Sequence, residues 1–98
     1  MAQINWTLQA LDDIGAICLF IARDAPSIAE VYAQKLFDAV DRLEMFPLSG
    51  RVVPEFEIED IREVIFGNYR IIYQIQDEVV NILTVHHAAR LLKFKFSG

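Results

Sequence analysis

Ninety-eight residues carry nine basic and fourteen acidic side chains, a net charge of −5, with 54% hydrophobic residues. That length fits one domain spanning 1–98 with one core, and the apolar content excludes disorder as the main state. The negative charge argues against a protein held on nucleic acid chiefly by phosphate contacts, so no direct DNA binding is expected. The charge is also uneven: residues 1–50 hold three basic and seven acidic side chains, whereas Arg90, Lys93 and Lys95 are the only charged residues after Glu78.

"AQINW" alternates Ile4 and Trp6 on one face and predicts a short first strand. Thr7 follows as a helix cap, with Asp12 and Asp13 near the favourable end of the helix dipole. Leu11, Ile14, Cys18 and Ile21 recur at helical spacing and are expected to face the core. Leu19 and Phe20 lie off that stripe as a second apolar patch. Cys18, alone in the chain and inside an apolar run, reads as a buried thiol in a reducing compartment. No leader pattern precedes it, and the run "IGAICLFIA" is about half a membrane span, so a soluble cytoplasmic protein is expected.

Pro26 breaks the helical pattern, and Ser27 with Glu30 has the spacing of a capping box. A second helix to about Met45 then carries Ala29, Ala33, Leu36, Val40 and Leu43 on one face, with Val31 and Phe37 off it. So short a connection requires the two helices to pack antiparallel. "FPLSGR" ends the second helix.

From Arg62 the period becomes two. "REVIF" and "YRIIYQI" flank Gly67-Asn68, a pair suited to a tight hairpin, and "VVNILTV" returns after Asp77-Glu78. Tyr69, Ile71, Tyr73 and Ile75 share one face of the middle strand; Arg70, Ile72, Gln74 and Gln76 share the other. The order predicts an α+β domain: an N-terminal strand, then a helical hairpin packed on one face of an antiparallel sheet that ends in a three-strand meander.

A helical hairpin followed by "FPLSGR" and "IREVIFGNYRIIYQIQDEVVNILTVHHAAR" resembles the RelE/ParE superfamily of type II toxin–antitoxin toxins. The most specific parts are Pro47 with Gly50-Arg51, Arg62-Glu63, the "YRIIY" strand and the last strand ending in His87 and Arg90. The likeness covers nearly the whole chain and is closer to the ParE branch. It implies a cytoplasmic toxin of the plasmid-stabilisation kind, needing no cofactor and neutralised by an antitoxin encoded beside it. ParE-type members inhibit DNA gyrase; RelE-type members cut messenger RNA on the ribosome. The chain departs from the pattern in having Ala88 where glycine often follows the histidine, and in being acidic.

The nuclease alternative needs a base for the ribose 2′-hydroxyl, a cation for the transition state and an acid for the leaving oxygen. The resemblance assigns these to Glu55, Arg70 and His87. The plainer reading makes Glu55 part of a solvated acidic loop, Arg70 the partner of a sheet neighbour such as Glu63, and His87 a strand-end residue. Adjacent His86 and His87 point to opposite faces of a strand, and with one cysteine they give no metal-site spacing. The acidic run from Glu55 to Glu63 repels RNA, which favours gyrase inhibition, with a non-toxic antitoxin-binding relic as a third reading. Under the favoured reading the tail residues Arg90, Lys93, Phe94 and Lys95 contact the target. Leu19, Phe20, Val31 and Phe37 are the residues expected to meet the antitoxin.

Overall fold

The computed structural model describes residues 1–90 and 92. Strand β1 (Gln3–Trp6) leads into helices α1 (Leu8–Ala22) and α2 (Pro26–Asp41), and a single 3₁₀ turn (Arg42–Glu44) extends α2. Strands β2 (Arg51–Val52), β3 (Ile61–Phe66), β4 (Tyr69–Gln76) and β5 (Val79–His87) complete a five-stranded sheet in the order β1-β5-β4-β3-β2. The α+β architecture, the helical hairpin on one face and the β3–β5 meander are as expected.

The sheet is mixed rather than antiparallel, because β1 runs parallel to β5 with Gln3 opposite Val79 and Trp6 opposite Ile82. Alternation within a strand shows which side chains are buried; it carries nothing about the partner's direction. The outermost strand β2 was also not expected, since two residues are too few to show a period.

Thr7 caps α1 as predicted. Its hydroxyl accepts from the Ala10 amide at 3.2 Å and donates to the Ile82 carbonyl at 2.6 Å, so one side chain fixes both the helix start and its seat on β5. That seat turns α1 so that Ala10, Ile14 and Ile17 are buried, with Ile21 and the Cys18 thiol partly so, while Leu11 is largely exposed. Of the expected stripe Ile14 is buried and Cys18 and Ile21 pack against the core, whereas Ala10 takes the place expected of Leu11 and Ile17 joins them. Asp12 and Asp13 lie beyond the first turn, which contains no acid.

Helix α2 begins at Pro26 itself, the favoured residue where no amide is needed, so Ser27 lies inside the helix and no capping box forms. Ala29, Leu36, Val40 and Leu43 are buried and Ala33 partly so. Phe37, expected off the core, packs edge-on against Trp6 with ring centroids 5.0 Å apart.

Strand β4 is covered on both faces. Ile71 and Tyr73 join the helices in the main core, whereas Ile72 joins Val53, Ile61 and Leu83 in a smaller cluster beneath the sheet, closed by Phe56 and Leu92. A register shift at Ile72/Tyr73 marks a bulge between β4 and β5. Asp13 of α1 spans the gap there, accepting from the Thr84 hydroxyl and, at 3.0 Å, from the Val85 amide. Gly67 turns the β3–β4 hairpin at φ 55°, where glycine is favoured, and a Cβ there would sit 2.8 Å from the Tyr32 hydroxyl and displace it.

Candidate functional site

The helix-free face of the sheet carries a chain of charges. Arg70 lies on β4 opposite Ile65 of β3, and its side chain is almost wholly buried. Its Nε donates to Glu63 Oε1 at 2.5 Å, while Nη1 and Nη2 donate to the two oxygens of Glu55 at 2.6 and 2.7 Å. Glu63, with a side chain 0% exposed, accepts a second cation, Arg51 Nε, at 2.6 Å. Burial of a lone carboxylate would be prohibitive, and the two guanidinium groups make it tolerable.

The electrostatics of Glu55 follow from this fork. Hydrogen bonds from Arg70 hold its carboxyl down at about 2 against burial, which acts the other way. Arg70, paired chiefly with Glu55 and then with Glu63, is held above the usual arginine range. Glu55 comes from the segment after Val53, where Glu57 takes the left-handed conformation at φ 53°. In the same turn the Phe56 and Glu57 amides donate to the Val53 carbonyl at 3.1 and 3.0 Å, and the Glu55 carboxylate meets Arg70 of β4.

His87 stands elsewhere. It pairs with Tyr69 in the β4–β5 ladder, next to the Arg70–His86 pair, so successive side chains project to opposite faces. Its ring packs edge-on to Tyr69 at 5.3 Å, and Tyr69 in turn meets Tyr32 of α2, on the helix side. Its Nδ1 accepts the Ala89 amide at 3.1 Å, leaving Nε2 as the open nitrogen. His86 contacts the Arg90 carbonyl at 3.2 Å.

The structure thus joins Glu55 to Arg70 and separates both from His87. It brings His87 instead into a groove of about 700 Å³ with Phe20 and Arg90, between α1 and the end of β5. Leu19, Phe20 and Val31 are well exposed near the turn of the helical hairpin. Lys93, Phe94 and Lys95 lie outside the described residues. Glu63 is the residue that sequence reasoning placed only as a neighbour of Arg70. Its centrality was signalled by an acid at a position of β3 where alternation calls for an apolar residue, between Ile61 and Ile65. Among the described residues no group of three or more His, Cys, Asp or Glu is placed to hold a metal, and no helix is long and apolar enough to cross a membrane.

Comparison with known proteins bears on the whole chain. Toxin RelE2 of Caulobacter vibrioides is 38% identical over 93% of this chain and 100% of its own length. Putative toxin Y4kP of Sinorhizobium fredii is 38% identical over 88% of each chain. Two solved structures share the fold: the chromosomal ParDE toxin–antitoxin system from P. aeruginosa and the RelBE2 toxin–antitoxin complex from Mycobacterium tuberculosis. The first has a TM-score of 0.76 at 20% identity, covering 89% of this chain and 96% of that one. The second has a TM-score of 0.55 at 24% identity, covering 88% and 96%. The model of the family described as ParE toxin of type II toxin-antitoxin system, parDE, matches residues 4–92. Since that match takes in both helices and all of the meander, the chain belongs to the ParE toxins of the RelE/ParE superfamily.

Proposed function

We propose that this toxin acts by occupying a surface of DNA gyrase rather than by cutting RNA, and that an antitoxin encoded beside it silences it in the cytoplasm. The observation that carries the reading is the Glu55–Arg70 fork. A base must take a proton near neutral pH, and a carboxyl held at about 2 is a poor acceptor there. A phosphate-binding arginine must offer accessible N–H groups, and Arg70 is almost wholly buried with three of its five given to two carboxylates. The acid of the scheme, His87, belongs to the opposite face of the sheet. The fork weakens the first two roles together, and the alternation of β5 weakens the third.

A binding toxin asks only for exposed surface. Arg90, Lys93, Phe94 and Lys95 supply a basic, aromatic tail for the target, and Leu19, Phe20 and Val31, backed by Phe37 against Trp6, an apolar face for the antitoxin. The relatives' names point both ways, since one is called a RelE toxin and the matching family is that of ParE.

The test is induction in a host with separate labelling of DNA and protein synthesis. The expected result is an early arrest of DNA synthesis with translation continuing. Early loss of translation, with messages cut only on translating ribosomes, would establish the nuclease reading instead.

A further inference from the structure

Helix α1 is apolar on both sides. Its inner side puts Ala10, Ile14 and Ile17 into the main core, yet Leu8 and Leu19 on its outer side are 77% and 73% exposed. Helix α2, in the same hairpin, exposes Gln34, Lys35, Asp38 and Asp41 over its second half. A surface helix is normally apolar along one stripe, and one that is apolar all round is covered all round. The outer side of α1 is therefore a face that calls for a partner.

The charges on that face say which partner fits. Among the exposed residues of α1 the one charged side chain is Asp12, and Arg23 stands at the helix cap. Arg23 keeps the helical conformation there, so it continues the spiral. Eleven residues are about three turns, which sets Asp12 and Arg23 on one line along the helix, roughly 16 Å apart. Asp13, the neighbouring acid, is turned inward onto Thr84 and Val85. Neither Asp12 nor Arg23 has an ion pair among the described residues.

An acid near one end of an apolar line and a base at the other match themselves when the line is turned end for end. Two copies of α1 laid antiparallel about a two-fold axis bring each Asp12 to the partner's Arg23. The axis then passes between the levels of Ala16 and Leu19, so each Leu19 lies over the partner's Ala16. Gly15, where a Cβ would meet nothing within 4 Å, leaves room for the helix axes to approach to roughly 8 Å. Each Leu8 extends past the ion pair toward the partner's hairpin turn, where Ile28 is exposed. A parallel pairing would instead set Asp12 against the partner's Asp12.

We infer that the free toxin forms a two-fold dimer through the outer face of α1, closed by two Asp12–Arg23 pairs around Leu19. One helix from each copy makes a small interface, so the dimer is weak and dependent on concentration. Its existence does not depend on the cellular target. Leu19 is also among the residues proposed above for the antitoxin, so the second copy and the antitoxin exclude each other there.

The test is sedimentation equilibrium of the purified full-length chain, without antitoxin, over a micromolar concentration series at low and high salt. Wild type is compared with Asp12→Arg, Arg23→Asp, the double swap Asp12→Arg/Arg23→Asp, and Leu19→Ser. The wild-type mass is expected to rise from one chain toward two. Each single reversal sets like charges together twice and should weaken the dimer at least about tenfold at low salt, and less at high salt. The double swap restores opposite charges and should recover wild-type association, whereas Leu19→Ser should weaken it at both salts. All three positions are exposed, and thermal unfolding checks that each variant is folded. Single reversals that associate as wild type does, or a double swap as weak as the singles, would overturn the dimer. A wild type that stays one chain at every concentration would overturn it too, and would give the outer face of α1 to a different protein.

Discussion

Glu63 illustrates how one residue can organise a face. It is an acid on a central stretch of β3, fully buried, and it is held there by Arg70 and Arg51. Removing it leaves Arg70 buried with its Nε unpaired. Glu55 still pairs with Arg70, so Glu63→Ala is expected to destabilise the fold by about 1–3 kcal/mol, measured by denaturant unfolding, the cost of a buried donor left without its acceptor. Glu55 is a different case, since its side chain is 43% exposed and water screens much of its pairing. Its carboxyl is depressed in the folded state, so its contribution is present above the ordinary carboxyl range and is lost as pH falls toward about 2. Wild type should accordingly lose thermal stability between about pH 4.5 and 2, and Glu55→Gln should show a shallower loss across that window. An equally steep loss in both proteins would mean that the fork contributes nothing to folding.

At the scale of elements, what the sequence reveals depends on whether the signal is local. The β3–β4 hairpin was legible because Gly67-Asn68 must turn and both flanks alternate. The two faces of β4 were legible for the same reason, including the pairing of Arg70 with Glu63. The parallel β1–β5 contact was not, because it joins residues some seventy-six positions apart, and the Asn5 side-chain amide that donates to Asn81 Oδ1 at 2.8 Å leaves no local pattern. The rotation of α1 was misjudged because Leu11 and Ala10 compete for one stripe, and the Thr7 contact with Ile82 decides between them. Of the candidate site, the residue types were legible but the association of Glu55 with Arg70 was not, since the turn after Val53 that holds Glu55 leaves no periodic trace. Asp13 is the tertiary staple between α1 and β5. Asp13→Ala strips the Thr84 hydroxyl and the Val85 amide of their acceptor and should cost about 1–3 kcal/mol. Amide exchange at Val85 should then accelerate more than at Ile71, away from the bulge; an unchanged Val85 would show that the staple is dispensable.

Over the whole molecule, the two faces of the sheet have separate duties. The helix side carries the main core and, at its open end, the groove of Phe20, His87 and Arg90. The other side carries the ion-pair chain over a small apolar cluster. A three-group acid–base site spanning both faces would need the sheet to be reached from two sides at once. A surface-binding toxin has no such requirement. The most direct test is a supercoiling assay with purified gyrase and three folded proteins: wild type, Glu55→Gln and His87→Gln. Loss of a general acid or base typically lowers a rate by about 10²–10⁴. The account predicts that all three inhibit supercoiling within a few-fold of one another and that none cleaves message on ribosomes. Gyrase that is unaffected by wild type, together with ribosome-dependent cleavage that His87→Gln abolishes, would contradict it.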